Sequence, residues 1–248
     1  MRKIIFELCA ESLQACLAAR EGGADRIELC TALSEGGLTP SHGLIRAAVL
    51  RSGLPVHVLL RPRSGDFDYT DDEFSVMRED LLHARSLGAS GFVLGLLRTD
   101  GTVDTERRRE LVELAAPLDI TFHRAFDYTT SLEQALEDVI AIGCRRVLTS
   151  GGEPDVLLGA DKLARLVKVA DGRIDIAVGG GLRIKDAKAL ARTTGASHFH
   201  GSLRRSEASR TQHERGWVLE DVDSLDGTLR FVVDSADVLA MIENLRSS

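Results

Sequence analysis

Gly23-Ala24-Asp25-Arg26-Ile27-Glu28-Leu29-Cys30 and Gly195-Ala196-Ser197-His198-Phe199-His200-Gly201-Ser202 are two copies of one pattern. Each starts on a glycine, passes through a short apolar-rich run and ends on a polar or small residue. Gly88-Ala89-Ser90-Gly91-Phe92-Val93-Leu94-Gly95 and Gly143-Cys144-Arg145-Arg146-Val147-Leu148-Thr149-Ser150 repeat it. Each copy follows a stretch of helical periodicity, such as residues 12–21 or 132–142. A glycine just past a helix takes the left-handed C-cap conformation and releases the chain into a strand. Runs at residues 4–8, 55–60, 118–122 and 174–178 supply strands one, three, five and seven between these units. Even alternation of strand and helix implies parallel strands. A doubly wound open sheet shares that alternation. Strands of similar length, each with a polar group at its C-terminal end, favour a closed (β/α)8 TIM barrel, whose C-terminal rim carries ligand sites.

Helix starts are marked as well. Thr39-Pro40 reads as a cap before a first-turn proline, and Thr70-Asp71-Asp72-Glu73 as a capping box. Residues 233–245 read as a final amphipathic helix. The polar, arginine-rich stretch 203–216 reads as a lid or an anion-binding loop.

The 248 residues match the length of one barrel, and no Pro/Gly/Ser-rich linker divides them, so a single domain over 1–248 is expected. A net charge of −7 argues against nucleic acid or an anionic membrane as partner. Four cysteines, none in a C-x-x-C pair, are too few for a disulfide framework in a chain of this length. The N-terminal apolar run stops at Glu7, too short for a secretory h-region, and no run is long enough to span a membrane. A soluble, cytoplasmic protein with reduced thiols is the expectation.

Side chains alternate along a strand, so Glu7 and Cys9 share a face, as do Glu28 and Cys30. On neighbouring strands they bring two thiols and two carboxylates together at the rim. Thiolates are soft donors that favour Cu(I), with Zn(II) as competitor. The alternative is that Cys9 and Cys30 are small buried hydrophobes, as Cys16 and Cys144 are expected to be. Glu7, Glu28, Arg61 and His123 project from four strands toward one axis. Two buried carboxylates need a balancing cation, and Arg61, with Arg63 or Arg124, is the expected one. One carboxylate of such a pair has a raised pKa and can act as an acid while its partner acts as a base. The alternative is a structural ion-pair network. His200 ends strand eight, with His198 on the same face. His57 reads as packing, and His42, His83 and His213 as surface residues.

Thr149-Ser150-Gly151, Gly179-Gly180-Gly181 and Gly201-Ser202 expose backbone N–H groups where barrels bind phosphate, or else form tight turns. The Arg61-Pro62-Arg63-Ser64-Gly65-Asp66-Phe67 loop offers Arg63 and Asp66 to a carboxylate or phosphate ligand, or is a solvated loop with local ion pairs. Asp127 is placed to orient His123 or Arg124. No lysine stands at a strand end, so Schiff-base chemistry is not supported.

Phe6-Glu7-Leu8-Cys9, residues 22–30, Ser34-Glu35-Gly36-Gly37-Leu38-Thr39-Pro40-Ser41, residues 61–67, Thr121-Phe122-His123-Arg124-Ala125-Phe126-Asp127 and residues 147–151 resemble, in order, the motifs of the CutC family, named for copper homeostasis. The resemblance implies a cytoplasmic homo-oligomeric barrel that binds and handles copper, with Cys9 and Cys30 matching the cysteines proposed as Cu(I) ligands. Ser64 stands where the family loop has glycine, and His198 where it commonly has glutamate. The remaining rim chemistry fits an alternative: a lyase, isomerase or aldolase-like enzyme for a small anionic or phosphorylated metabolite.

Overall fold

The computed structural model describes residues 3–208 and 229–247. Eight strands close into one parallel barrel: β1 (Ile5–Ala10), β2 (Arg26–Leu29), β3 (Val56–Leu59), β4 (Gly91–Leu94), β5 (Asp119–Phe122), β6 (Arg146–Thr149), β7 (Asp175–Gly179) and β8 (His198–Gly201). Strand β8 pairs back onto β1, with Glu7 opposite His200. The connecting helices are α1 (Leu13–Glu21), α2 (His42–Arg51), α3 (Asp71–Ser86), α4 (Thr105–Ala115), α5 (Leu132–Ala141), α6 (Ala160–Ala170) and α7 (Ile184–Thr194). After β8 come an antiparallel pair, β9 (Arg205–Ala208) with β10 (Leu229–Val232), and the closing helix α8 (Ser235–Arg246). Of the arginine-rich stretch 203–216, residues 203–208 are described. The rest, with His213, lies outside the described residues.

The alternation within each strand divides the barrel into two chemistries. Phe6, Leu8, Ile27, Leu29, Phe92 and Phe199 are buried in one apolar cluster with helix residues such as Ala15, Met77, Leu163 and Met241. The other face of the strands points into the barrel. Barrels are usually filled there by branched apolar side chains; here Glu7, Arg26, His57, Thr121 and Arg146 are all buried. Arg146 donates to Thr121 Oγ1 at 2.8 Å and to Asp119 at 3.1 Å.

Glycine supplies room for the inward histidines. A Cβ at Gly91 would lie 2.7 Å from the His57 ring, and one at Gly95 would lie 2.5 Å from the His123 ring. His57 packs in this way, as expected from its early place in the strand.

The capping box at Thr70 forms as read: its hydroxyl accepts from Glu73 N–H, and Glu73 accepts from Thr70 N–H. The cap at Thr39 does not form. Ser41 caps α2 instead, because the Thr39 hydroxyl accepts from Arg61 N–H at 2.9 Å and donates to Arg61 O at 3.2 Å. That exchange fastens the loop before α2 to the end of β3, next to the barrel mouth.

Candidate active site

A pocket of about 410 Å³ opens at the C-terminal mouth, and Cys9, Glu28, Arg61, His123, Arg124, Gly180 and His200 are among the residues that line it. This volume lies within the range of small-molecule sites.

Strand register builds its floor. Glu7 sits opposite Arg26 on β2 and His200 on β8, and Cys9 opposite Glu28. Glu7 therefore lies one layer below the pocket rather than at the rim with the thiols, which corrects the expectation of four groups at one point. It accepts from Arg26 Nε on one oxygen and from His200 Nδ1, at 2.8 Å, on the other. Burial pushes Glu7 toward its neutral form, but Arg26 and His200 outweigh it and hold the carboxyl well below the usual range. Burial likewise disfavours the charged form of His200, yet Glu28 and Glu7 together leave its pKa raised. With Nδ1 committed to Glu7, Nε2 is the nitrogen left to act.

Glu28 differs in environment from Glu7. One oxygen accepts from Cys9 Sγ at 3.6 Å, and the other is buried without a partner. Burial raises its pKa, and the nearby Glu7 charge adds to that against the pull of His200. One donor atom each from Cys9, Glu28 and His200 falls within 4.8 Å of the others. These S, O and N donors suit a borderline divalent ion such as Zn(II).

The thiols are neighbours: Cys9 Sγ and Cys30 Sγ are 3.7 Å apart. All four cysteines are free and buried. The hydrogen bond with Cys30, reinforced by burial, pushes the Cys9 thiol well above its ordinary pKa. Cys30 is fully buried in a small apolar cluster with Leu59 and Val93.

Arg61 is not the counter-ion of the carboxylates; Arg26, which sequence reasoning missed, has that part. Arg61 is 5% exposed. Its guanidinium donates to the carbonyls of Glu35 at 2.7 Å, Gly37 at 3.0 Å and Gly65 at 2.8 Å, and lies over the Phe67 ring. Its Nε is buried without a partner, and none of its ion pairs to a carboxylate is found among the described residues. Arg63 does not reach the pocket: it is spent on Glu73, Asp66 and loop carbonyls, where it and Asp66 hold the loop in shape.

His123 lines the pocket from β5. Its Nδ1 accepts from Ala125 N–H, so the neutral ring carries its proton on Nε2, which is buried without a partner. Burial, with Arg61 and Arg108 nearby, pushes its pKa down to about 3. Asp127 does not orient this ring. It accepts from Arg124 Nε at 2.8 Å, Thr149 Oγ1 at 2.5 Å, Ser150 N–H and Oγ, and Gly152 N–H at 2.9 Å.

That carboxylate fills the cradle expected at Thr149-Ser150-Gly151. Ser150 and Gly152 N–H are taken by Asp127, and Gly151 N–H by Thr149 Oγ1 at 2.8 Å, so the β6 end has no anion site to offer. Gly179 is also internal: a Cβ there would meet Leu148 at 2.6 Å and His200 at 2.9 Å. Gly180, Gly181, Gly201 and Ser202 do line the pocket, beside Leu182 and Arg204. Arg204, from the arginine-rich stretch singled out in the sequence, is held by Glu11 at 3.4 Å and lies over Phe231. His198 points to the lower layer, with Nε2 3.7 Å from Asp175. His42 and His83 pair on the exterior at 2.9 Å.

Residues 4–205 match the sequence profile of the CutC family. A family protein CutC of Chromobacterium violaceum is 46% identical over 241 residues, covering 97% of this chain and 98% of that one. One from Vibrio cholerae is 45% identical over 209 residues, covering 84% and 82%. A crystal structure of CutC from Streptococcus agalactiae, whose description assigns it provisionally to copper homeostasis, superposes with a TM-score of 0.76 at 35% identity, covering 80% of this chain and 98% of that one.

Proposed function

The chain belongs to the CutC family, and from that premise and the chemistry of its barrel mouth we propose that it is an enzyme acting by acid–base catalysis on a small anionic metabolite. The observation that carries this reading is the Arg26–Glu7–His200 relay, whose histidine stands within 4.8 Å of Glu28 and Cys9 in an open pocket. A carboxylate on Nδ1 fixes the tautomer and orientation of an imidazole and stabilises its charged form, as in acid–base triads. His200 Nε2 then moves a proton to or from the substrate, and Glu28, holding its proton to higher pH than an ordinary carboxyl, serves as the complementary acid. The carboxyls pushed apart by their surroundings are Glu7, held ionised to anchor His200, and Glu28, raised so that it keeps a proton to give. Arg61 supplies a buried positive charge for the substrate's anionic group. The reaction class that fits is lyase, isomerase or aldolase-like.

The test is exchange of carbon-bound protons in D2O, followed by NMR over a panel of phosphorylated hydroxy and keto acids. Deuterium incorporation by the wild type, lost in His200→Ala and Glu28→Gln, supports the reading. Exchange that survives both substitutions refutes it.

One observation favours a second reading, Cu(I) handling: the 3.7 Å separation of the Cys9 and Cys30 sulfurs. With metal–sulfur bonds of about 2.3 Å, as for zinc thiolates, that separation suits two ligands of one ion. Copper would be cargo here, held by Cys9 and Cys30 after both thiols give up their protons. Burial and the hydrogen bond with Cys30 hold the proton on Cys9, so such binding releases protons and strengthens as pH rises. Anaerobic Cu(I) titration against a competing chelator, beside Cys9→Ser/Cys30→Ser, decides it: tight stoichiometric binding lost in the double variant establishes the copper role.

We take the protein to be cytoplasmic and homo-oligomeric, as the family resemblance implies, with a small molecule rather than nucleic acid or membrane as partner. Among the described residues no helix is long and apolar enough to cross a membrane.

A further inference from the structure

Around the closed barrel the strands run β7-β8-β1-β2-β3 as successive neighbours. The acid–base groups occupy the middle of that arc: His200 on β8, Cys9 on β1 and Glu28 on β2. A candidate anion position stands at each end. At the β3 end, Arg61 is a buried guanidinium whose Nε has no partner and whose charge no carboxylate among the described residues neutralises. Three backbone carbonyls fix it in place. A buried charge without a counter-ion is costly, and an arriving anion removes that cost.

At the β7 end, Gly180 and Gly181 take φ of +112° and +78° and lead into α7, a helix of eleven residues with no side-chain cap at its N-terminus. The Arg124 guanidinium lies 3.0 Å from where a Gly180 Cβ would stand. His123, 6% exposed and with its Nε2–H unpartnered, lines the same pocket from the Arg61 side, its ring 5.0 Å from that of Phe67. Backbone approach at glycines, a helix N-terminus without a side-chain cap and the guanidinium donors that Arg124 does not spend on Asp127 and Ser150 suit phosphate, while Arg183 offsets the nearby Asp155 and Asp186 carboxylates. At Arg61, both NH1 protons are bound to carbonyls and one NH2 proton to a third, so Nε–H and the second NH2 proton are the donors left, and a carboxylate suits them.

Strands three and seven face each other across an eight-stranded barrel, so a ligand bound at both ends spans the mouth and passes beside the acid–base groups. Building on the acid–base reading, we infer that the substrate is a dianion, a phosphorylated carboxylic acid, with its phosphate at Gly180–Leu182 and Arg124, its carboxylate at Arg61, and its reacting carbon between them. The pocket volume of about 410 Å³ accommodates a compact metabolite of this class.

The experiment is titration calorimetry of the full chain with 2-phosphoglycolate, inorganic phosphate and glycolate. Two anchors on one ligand are expected to make 2-phosphoglycolate bind about 100-fold more tightly than either fragment. Arg61→Ala lowers it to the level of phosphate, and Arg124→Ala to the level of glycolate, with thermal melting confirming that each variant is folded. Arg124 has a half-exposed side chain and carries the test where Arg61→Ala fails to fold; the wild-type comparison needs no variant. Phosphate binding with no gain for 2-phosphoglycolate overturns the two-ended site and leaves the acid–base reading standing. No binding of any of the three overturns both.

Discussion

Glu7 and Glu28 are both buried carboxylates, yet the structure sets opposite signs on what they do for stability. Glu7 is held below the ordinary carboxylate range by Arg26 and His200. Its contribution is present above the unfolded-state value and is lost as pH falls through its own depressed value. Glu7→Gln leaves Arg26 buried without a counter-ion, and a loss of roughly 3–5 kcal/mol is expected by urea denaturation at pH 7, narrowing toward acid pH. Glu28 is raised by burial. Its contribution is present below the unfolded-state value and is lost as pH rises through the folded one. Glu28→Gln is therefore expected to gain up to about 1 kcal/mol at pH 7, a gain that vanishes as pH falls below the ordinary carboxylate range, while abolishing proton exchange. A loss of stability in Glu28→Gln at pH 7 contradicts the assignment. At this scale strand alternation exposed Glu7, Cys9, Glu28, Cys30, Arg61, His123 and His200 in the sequence. The same alternation points to Arg26, two positions before Glu28, but a residue at the start of a strand carries no signal of its own at a rim.

At the scale of elements, the end of β6 is held by Asp127, which sits in the short 3-10 turn Arg124–Tyr128 after β5. The side chain is 4% exposed and takes Thr149, Ser150, Gly152 and Arg124 at once. Asp127→Ala is expected to cost roughly 3 kcal/mol and to speed hydrogen exchange at the Ser150 and Gly152 amides, leaving the β1 amides unchanged. Unchanged exchange at those amides counts against Asp127 as the organiser. Strands and most helices were legible because their apolar periods and glycine boundaries are local. The filled β6 cradle was not, because Thr149 and Asp127 are 22 positions apart, and glycine-rich letters read the same whether a ligand or the protein's own carboxylate occupies the N–H groups. The misplaced cap of α2 has the same origin, since Thr39 and Arg61 are likewise 22 positions apart.

For the whole molecule, closure of β8 onto β1 makes the first and last strands neighbours, and the core is shared around the ring. Unfolding in urea is then expected to be one transition, with far-UV circular dichroism coinciding with labelling of the thiols. Cys9, Cys16 and Cys30 report on the first third of the chain and Cys144 on its middle, and all four are buried. Labelling of Cys144 at a different midpoint from the others contradicts a single cooperative domain. The division between an apolar shell and a polar barrel interior follows from the same ring. Charge packed inside at Glu7, Arg26 and Arg146 has to be paired there, and Cys9, Glu28 and His200 at the mouth stand on that paired layer.

The central claim is that this mouth takes an anion on its own chemistry rather than a metal on the thiol pair. Calorimetric titration of 2-phosphoglycolate into the reduced wild type and the Cys9→Ser/Cys30→Ser variant tests it most directly. The account predicts saturable binding that the double variant retains. Absence of binding to the wild type, or its loss in the double variant, contradicts it.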